Sequence, residues 1–237
     1  MKWSDEEVKQ ISAELESKHP ADILAWVDRT FGPERVTMAT GFGAEGVVLI
    51  DMLSSVNRNI PIFYLDTDVL FPETYDLRQK LESYYEIRFY RYASAYSMDD
   101  QTEHYGPRLW ERDPDRCCSI RKLEPLKRAL EGRSAWITSI RRDQSEYRRT
   151  CGILERDIRF GLLKINPLAT WTRGEVWEYI RVRGIPFNPL YDRGYTSIGC
   201  THCTSPVAEN EDERAGRWRG FEKKECGLHR IEVTVNQ

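Results

Sequence analysis

Six cysteines fall into distinct chemical arrangements. Cys117 and Cys118 are adjacent, Cys200 and Cys203 form a Cys-x-x-Cys, Cys226 lies in a Glu-Cys-Gly-Leu-His segment, and Cys151 stands alone. Four thiolates that converge in a fold are enough for an iron-sulfur cluster. A fifth thiol among Lys223, Lys224 and His229 has the cationic surroundings that favour a reactive thiolate. The layout therefore separates a metal site from a nucleophile. Cys151 has no motif around it and reads as an inert buried thiol.

A chain of 237 residues, 40% hydrophobic and 31% charged, is long enough to bury a core without disulfides. Cysteines of this density then read as ligands or catalysts, not crosslinks. The net charge of −3 argues against a nucleic-acid binder, whose footprint would be a basic domain. Small basic groups remain at Arg141-Arg142, Arg148-Arg149 and Arg214/Arg217/Arg219. They suit one compact anion, or else a solvated surface. The first twenty residues lack an apolar stretch of signal-peptide type, and no apolar run is long enough to span a bilayer. The expectation is a cytoplasmic protein with neither membrane nor nucleic-acid partner.

The elements that must position these groups follow from periodicity. Val8, Ile11 and Leu15, then Ile23, Leu24 and Val27, predict two helices within residues 5–31, closed by Phe31-Gly32-Pro33. Strands are expected at 36–40, 60–65 and 87–92, with helices at 44–56 and 72–85 between them. A helix near 118–130, strands at 135–139 and 162–166, and a helix at 173–183 follow. This alternation is the signature of a parallel sheet with crossover helices. Beyond Gly184 the chain is loop-rich, and residues from Arg217 onward have little in the sequence to hold them down.

Thr40-Gly41-Phe42-Gly43-Ala44-Glu45-Gly46 joins a predicted strand to a predicted helix, where α/β sheets bind ligands and helix amides favour phosphate. It fits neither a Walker A loop nor Gly-x-Gly-x-x-Gly, and glycines in a turn are often only structural. Leu65-Asp66-Thr67-Asp68 ends the next strand at the same sheet edge. It can border a nucleotide crevice or simply cap the helix that follows.

Taken together, several segments resemble the assimilatory sulfonucleotide reductases, the adenylylsulfate (APS) and phosphoadenylylsulfate (PAPS) reductase family. They are Thr-Gly-Phe-Gly-Ala-Glu (40–45), Leu-Asp-Thr-Asp-Val-Leu-Phe-Pro-Glu-Thr (65–74), Cys-Cys-Ser-Ile-Arg-Lys (117–122), Arg-Arg-Asp-Gln-Ser (141–145), Asn-Pro-Leu-Ala-Thr-Trp-Thr (166–172), Cys-Thr-His-Cys (200–203) and Glu-Cys-Gly-Leu-His (225–229). The resemblance implies an α/β, adenine nucleotide α-hydrolase-like (PP-loop) fold. Its parallel sheet would carry helices on both faces, in a single domain with a mobile C-terminal tail. The expected division is N-terminal helices at 1–34, a nucleotide- and cluster-binding unit at 35–215, and a tail at 216–237. Cys226 would attack the sulfur of adenylyl sulfate and expel AMP, becoming an S-sulfocysteine that thioredoxin or a similar dithiol resolves to sulfite. A [4Fe-4S] cluster would sit on Cys117, Cys118, Cys200 and Cys203. Lys122, Arg214, Arg217 and His229 would grip the sulfate end. Gly41, Phe42, Gly43, Ala44, Glu45, Leu65, Asp66, Thr67, Arg141 and Arg148 would serve the nucleotide, with Arg142 a further phosphate or ribose candidate.

Ser139 stands where the family usually has a glycine close to substrate, which leaves that contact open. Zinc on the same four cysteines is the alternative metal, although adjacent cysteines are unusual in a zinc ribbon. PAPS-specific or dual-substrate reduction is the near alternative in function. ATP-dependent tRNA thiolation on a related scaffold is the remote one, and it lacks a Ser-Gly-Gly-x-Asp-Ser loop here. Reductant identity and homo-oligomerisation stay open.

Overall fold

The computed structural model describes residues 3–229. Two helices come first, α1 (Asp5–Leu15) and α2 (Pro20–Phe31). Ser4 and Glu7 cap α1 reciprocally, the Ser4 hydroxyl accepting the Glu7 N–H at 3.2 Å and the Glu7 carboxylate accepting the Ser4 N–H at 2.6 Å. Pro20 opens α2, where a missing N–H costs nothing. Both helices feed apolar side chains, among them Val8, Ile23 and Val27, into the same core as the sheet.

The alternating region follows as β1 (Val36–Thr40), α3 (Ala44–Val56), β2 (Ile62–Asp66), α4 (Pro72–Tyr85) and β3 (Phe89–Ala93). Short helices α5 (Met98–Tyr105), α6 (Leu109–Arg112) and α7 (Pro114–Cys118) lead into a π-helical turn, Ser119–Leu123, and α8 (Glu124–Ala129). Strands β4 (Ala135–Ile137), β5 (Leu154–Asp157) and β6 (Leu162–Ile165) and helix α9 (Arg173–Arg183) complete the regular part.

The six strands lie in the order β3-β2-β1-β4-β6-β5, all parallel to their neighbours except β5, which is antiparallel to β6. Side chains alternate across the sheet. Ile62, Tyr64, Ala135 and Ile137 face the large core built with α2, α3, α4 and α9, while Phe63 and Trp136 face a smaller one built on Leu126 and Ala129 of α8. Helices thus cover both faces. After β3 the chain returns to lay β4 on the far side of β1, so the carboxyl ends of β1 and β4 flank a topological switch point.

β5 is an element the periodicity missed. Its Leu-Glu-Arg-Asp carries one buried apolar residue, Leu154, and it survives as an edge strand by pairing with β6 and packing on α1. The expected helix near 118–130 is broken into α7, the π turn and α8. Pro125 has no N–H to return to the turn before it, so a regular α-helix cannot run through this point. Among the described residues no helix is long and apolar enough to cross a membrane. Residues 1–2 and the last part of the expected tail, 230–237, lie outside the described residues.

Candidate active site and thiol recess

The loop after β1 turns sharply. Phe42 takes a left-handed φ of 56°, held by its N–H donating to the Thr40 hydroxyl at 3.1 Å. Its ring is buried against Tyr64 and Phe89. The Ala44 N–H at the start of α3 donates to the Tyr191 hydroxyl at 2.9 Å. Gly41, Gly43 and Glu45 are thereby presented to a cavity of about 200 Å³ at the switch point, which Leu65, Thr67 and Ser139 also line.

Cations gather along the same cavity. Lys122, Arg148, Arg214, Arg217, Cys200, Cys226 and His229 all line it. The π turn that interrupts the helix carries Lys122 into the wall. Next to it, Arg121 fastens that turn to Asp68 of the loop after β2, at 2.9 Å, and to the start of α5, donating to Gln101 at 2.8 Å and to the Ser97 carbonyl at 2.6 Å. Arg214 and Arg217 each reach the Ser197 hydroxyl, at 3.5 and 3.3 Å. Their Nε atoms and His229 Nδ1 are shut off from solvent with no hydrogen-bond partner. Buried polar atoms are normally satisfied, so three unmatched nitrogens around one cavity mark a place where a polar ligand would complete them. Gly199 lets Arg217 lie this close, because a Cβ there would overlap the guanidinium.

Electrostatics follow from this crowding. Burial, then Arg148, pulls the Arg214 guanidinium down to about 10, still charged at neutral pH. Burial also works against the Lys122 charge, but Cys200, Cys118 and Cys226 outweigh it, and the ammonium is held more firmly than usual. Burial and then Arg148, Lys164 and Arg214 push His229 well below the usual histidine range, so it is neutral. Its ring stacks on Trp136, 5.8 Å between centroids and 10° from parallel.

The four cysteines of the two paired motifs line a second, smaller recess together with Lys122, Arg121, Trp110 and His202. Two tertiary contacts bring them there: Leu70 pairs with Cys200 as an antiparallel bridge, and the Thr201 N–H donates to the Val69 carbonyl at 2.9 Å. All four are free thiols. Burial, then Cys118, pushes Cys117 up to about 12, and burial with Cys200 pushes Cys203 up to about 11. Burial also raises Cys200, but Lys122, the Thr67 hydroxyl 3.3 Å away and Arg217 reverse the sign and hold it below the ordinary thiol value. Among the described residues no three Cys, His, Asp or Glu side chains close on a single ion. An all-sulfur quartet around one recess, edged by a buried ammonium that offsets negative charge, is a donor set suited to an iron-sulfur cluster. Lys122 lines both the recess and the cavity.

The segment carrying Cys226 is docked. Trp218, nearly fully buried, lies under Lys122, Arg217 and Lys223, their charges 6.0, 4.5 and 5.4 Å from its ring centres. It packs with Cys118 and Cys226. The Trp218 backbone N–H donates to the Cys203 carbonyl at 3.1 Å, and Arg159 donates to the carbonyls of Gly227 and Leu228.

Four expected nucleotide residues do not line the cavity. Phe42 and Ala44 shape the loop from behind it. Asp66 spends its carboxylate on Tyr75 at 2.6 Å and Arg91 at 2.6 Å. Arg141 is fully buried and surrounded by carboxylates, Glu45 at 2.9 Å, Glu213 at 3.0 Å, and Asp143. Arg142, the weaker candidate, pairs with Glu16 and donates to the Cys151 carbonyl at 2.7 Å. Cys151 is buried, its thiol pushed up to about 11 by burial and then Glu155. Tyr191, Ser197, Gln144 and Glu213 line the cavity without having been foreseen. Tyr191 and Ser197 sit in the loop-rich region where no periodicity marks a position.

Residues 35–206 match the family described as the phosphoadenosine phosphosulfate reductase domain. The chain belongs to this family. As a member of the phosphoadenosine phosphosulfate reductase family it is 44% identical over 228 residues, 96% of its length and 90% of the relative's, to an adenosine 5'-phosphosulfate reductase of Salinibacter ruber. It is 45% identical to adenosine 5'-phosphosulfate reductase 2 of Bacillus subtilis, over 96% of this chain and 95% of that one. Among solved structures, a phosphoadenylyl-sulfate reductase of Candida auris in a phosphate complex superposes with a TM-score of 0.77 at 31% identity, covering 87% of this chain and 99% of that one. An FMN adenylyltransferase of Candida glabrata, with a TM-score of 0.58 and 15% identity over 95% of this chain and 78% of that one, shares the fold alone.

Proposed function

We propose that this family member reduces adenylyl sulfate to sulfite and AMP, with Cys226 as the nucleophile and a protein dithiol such as thioredoxin as the reductant. The observation that supports this reading is that Cys226 lines the same cavity as the β1 loop, Lys122, Arg214 and Arg217. The names of the relatives support the choice of substrate.

The reaction balances in two displacements. The Cys226 thiolate attacks the sulfur of the substrate, the bond from sulfur to the phosphate oxygen breaks, and AMP departs with that electron pair. A dithiol then attacks Cys226 Sγ in the resulting S-sulfocysteine, sulfite leaves, and the second thiol of the reductant frees Cys226. A thiolate approaching a sulfate faces the repulsion of its oxygens. The buried Lys122 and the half-buried Arg214 and Arg217 oppose that repulsion where it develops, in surroundings where charge is poorly screened. His229, neutral here, offers a ring nitrogen free to hydrogen-bond the same group.

Cys117, Cys118, Cys200 and Cys203 would hold a [4Fe-4S] cluster. When bound, it supplies fixed charge and a rigid anchor beside Lys122. Iron and labile sulfide determination on anaerobically purified protein, followed by a sulfite assay with APS and thioredoxin, tests both halves of the reading. Iron-free, colourless protein overturns the cofactor assignment. No AMP release from APS overturns the reaction.

A further inference from the structure

The Cys226 thiol has a neighbour whose role the reaction above leaves unassigned. Glu225 precedes it, and its carboxylate is almost fully buried. It accepts two parallel hydrogen bonds from Arg148, Nε at 2.8 Å and Nη2 at 2.9 Å, and a third from Arg214 Nη2 at 3.1 Å. Arg148 is itself buried and steadied by Gln144. Arg214 also donates to the Lys224 carbonyl at 3.3 Å. A bidentate Arg–carboxylate pair fixes direction as well as distance, and here it is applied one residue from the nucleophile.

The same two arginines line the cavity. Part of the positive charge that would meet a substrate anion is therefore already spent on Glu225. A residue that served only to hold the fold would have no reason to draw on cations of the binding site, since buried ion pairs stabilise little beyond an apolar substitute.

We infer that Glu225 is a positioning residue for Cys226, docking the thiol-bearing segment onto Arg148 and Arg214 and giving up anion affinity in the cavity to do so. This rests on the reading of Cys226 as the nucleophile. It predicts opposite signs for two measurements on one isosteric variant. In Glu225→Gln the directional lock is lost, and the single-turnover release of AMP from APS slows roughly tenfold or more, as misplacement of a reacting group does. The uncompensated Arg148 and Arg214 then bind AMP roughly two- to tenfold more tightly, a gain that shrinks with added salt. Glu225→Asp, which keeps the charge but shortens the arm, recovers wild-type AMP affinity while remaining slow.

A third measurement does not depend on turnover. Alkylation of Cys226 by iodoacetamide, mapped by peptide mass, accelerates in Glu225→Gln as the segment undocks, and by more than alkylation of the fully buried Cys151, which reports any loss of the fold as a whole. Unchanged or weaker AMP binding in Glu225→Gln, or wild-type alkylation of Cys226, overturns the inference. If both move as expected while wild-type protein releases no AMP from APS, the docking stands and the reaction assignment is what fails.

Discussion

Arg141 separates two accounts of the arginine clusters, and its removal has a calculable cost. Its guanidinium contacts Glu45 and Glu213, whose side chains are only 12% and 16% exposed, and also Asp143. Arg141→Met leaves the two glutamates facing each other without a counterion. Breaking a buried ion pair by deleting one partner typically costs about 3–5 kcal/mol. For a domain of this size that corresponds to a fall in melting temperature of roughly 6–20 °C. The loss should depend on pH in a definite direction. Burial and then Glu45 already raise Glu213 above the usual carboxylate range even with Arg141 present. Without the arginine it rises further, and a carboxyl whose folded value exceeds its unfolded one favours the folded state as pH falls. The variant should therefore regain stability as pH falls from neutral toward the ordinary glutamate value of 4.5, which thermal unfolding followed by circular dichroism would record. Adding Glu45→Gln and Glu213→Gln to Arg141→Met should recover much of the deficit, because no unpaired charge is then buried. If Arg141→Met melts within about 2 °C of wild type, well inside the expected fall, yet loses AMP binding, Arg141 is a nucleotide ligand and the burial argument is wrong.

Other expectations follow from the same geometry. Cys226→Ser should abolish sulfite formation but retain AMP binding and cluster absorbance; residual turnover in that variant would remove Cys226 from the chemistry. Serine at Cys117, Cys118, Cys200 or Cys203 should bleach the chromophore and open the 197–205 loop to protease, and a coloured variant at any of these positions contradicts the assigned ligand. Gly199→Ala should displace the Arg217 guanidinium and weaken binding of APS with little change in melting temperature, so unaltered APS affinity would mean that Arg217 has no part in the seat. His229 is neutral when docked and takes up a proton near its ordinary value of 6.5 when released. Docking of the Cys226 segment is then complete above that pH and weakens below it by about 1.4 kcal/mol per unit. Limited proteolysis across this range should show the trend in wild type and lose it in His229→Gln.

What the sequence made legible was local, and what it hid was the identity of partners far along the chain. The β1 loop, the Cys-Cys and Cys-x-x-Cys pairs and the Glu-Cys-Gly-Leu-His segment are each contiguous, so they stood out in the sequence as candidates, and the roles proposed for them draw on residue type together with the family resemblance. So could the parallel sheet, because apolar strands covered on both faces stand out against amphipathic helices. β5 could not, since an edge strand of charged residues has no such contrast. The arginines show the limit most clearly. Each cluster looked equally suited to an anion, yet Arg142 is committed to Glu16 and Arg219 to Glu211, and Arg141 to Glu45 and Glu213. Those carboxylates lie up to 126 positions away in sequence, and no local pattern reports which arginine they will neutralise. Arg214 and Arg217 differ because each keeps a buried Nε with no partner beside the cavity. A cation marks a binding site when the fold has left part of its hydrogen-bonding capacity unspent, and that is a property of tertiary contacts which residue type alone does not carry.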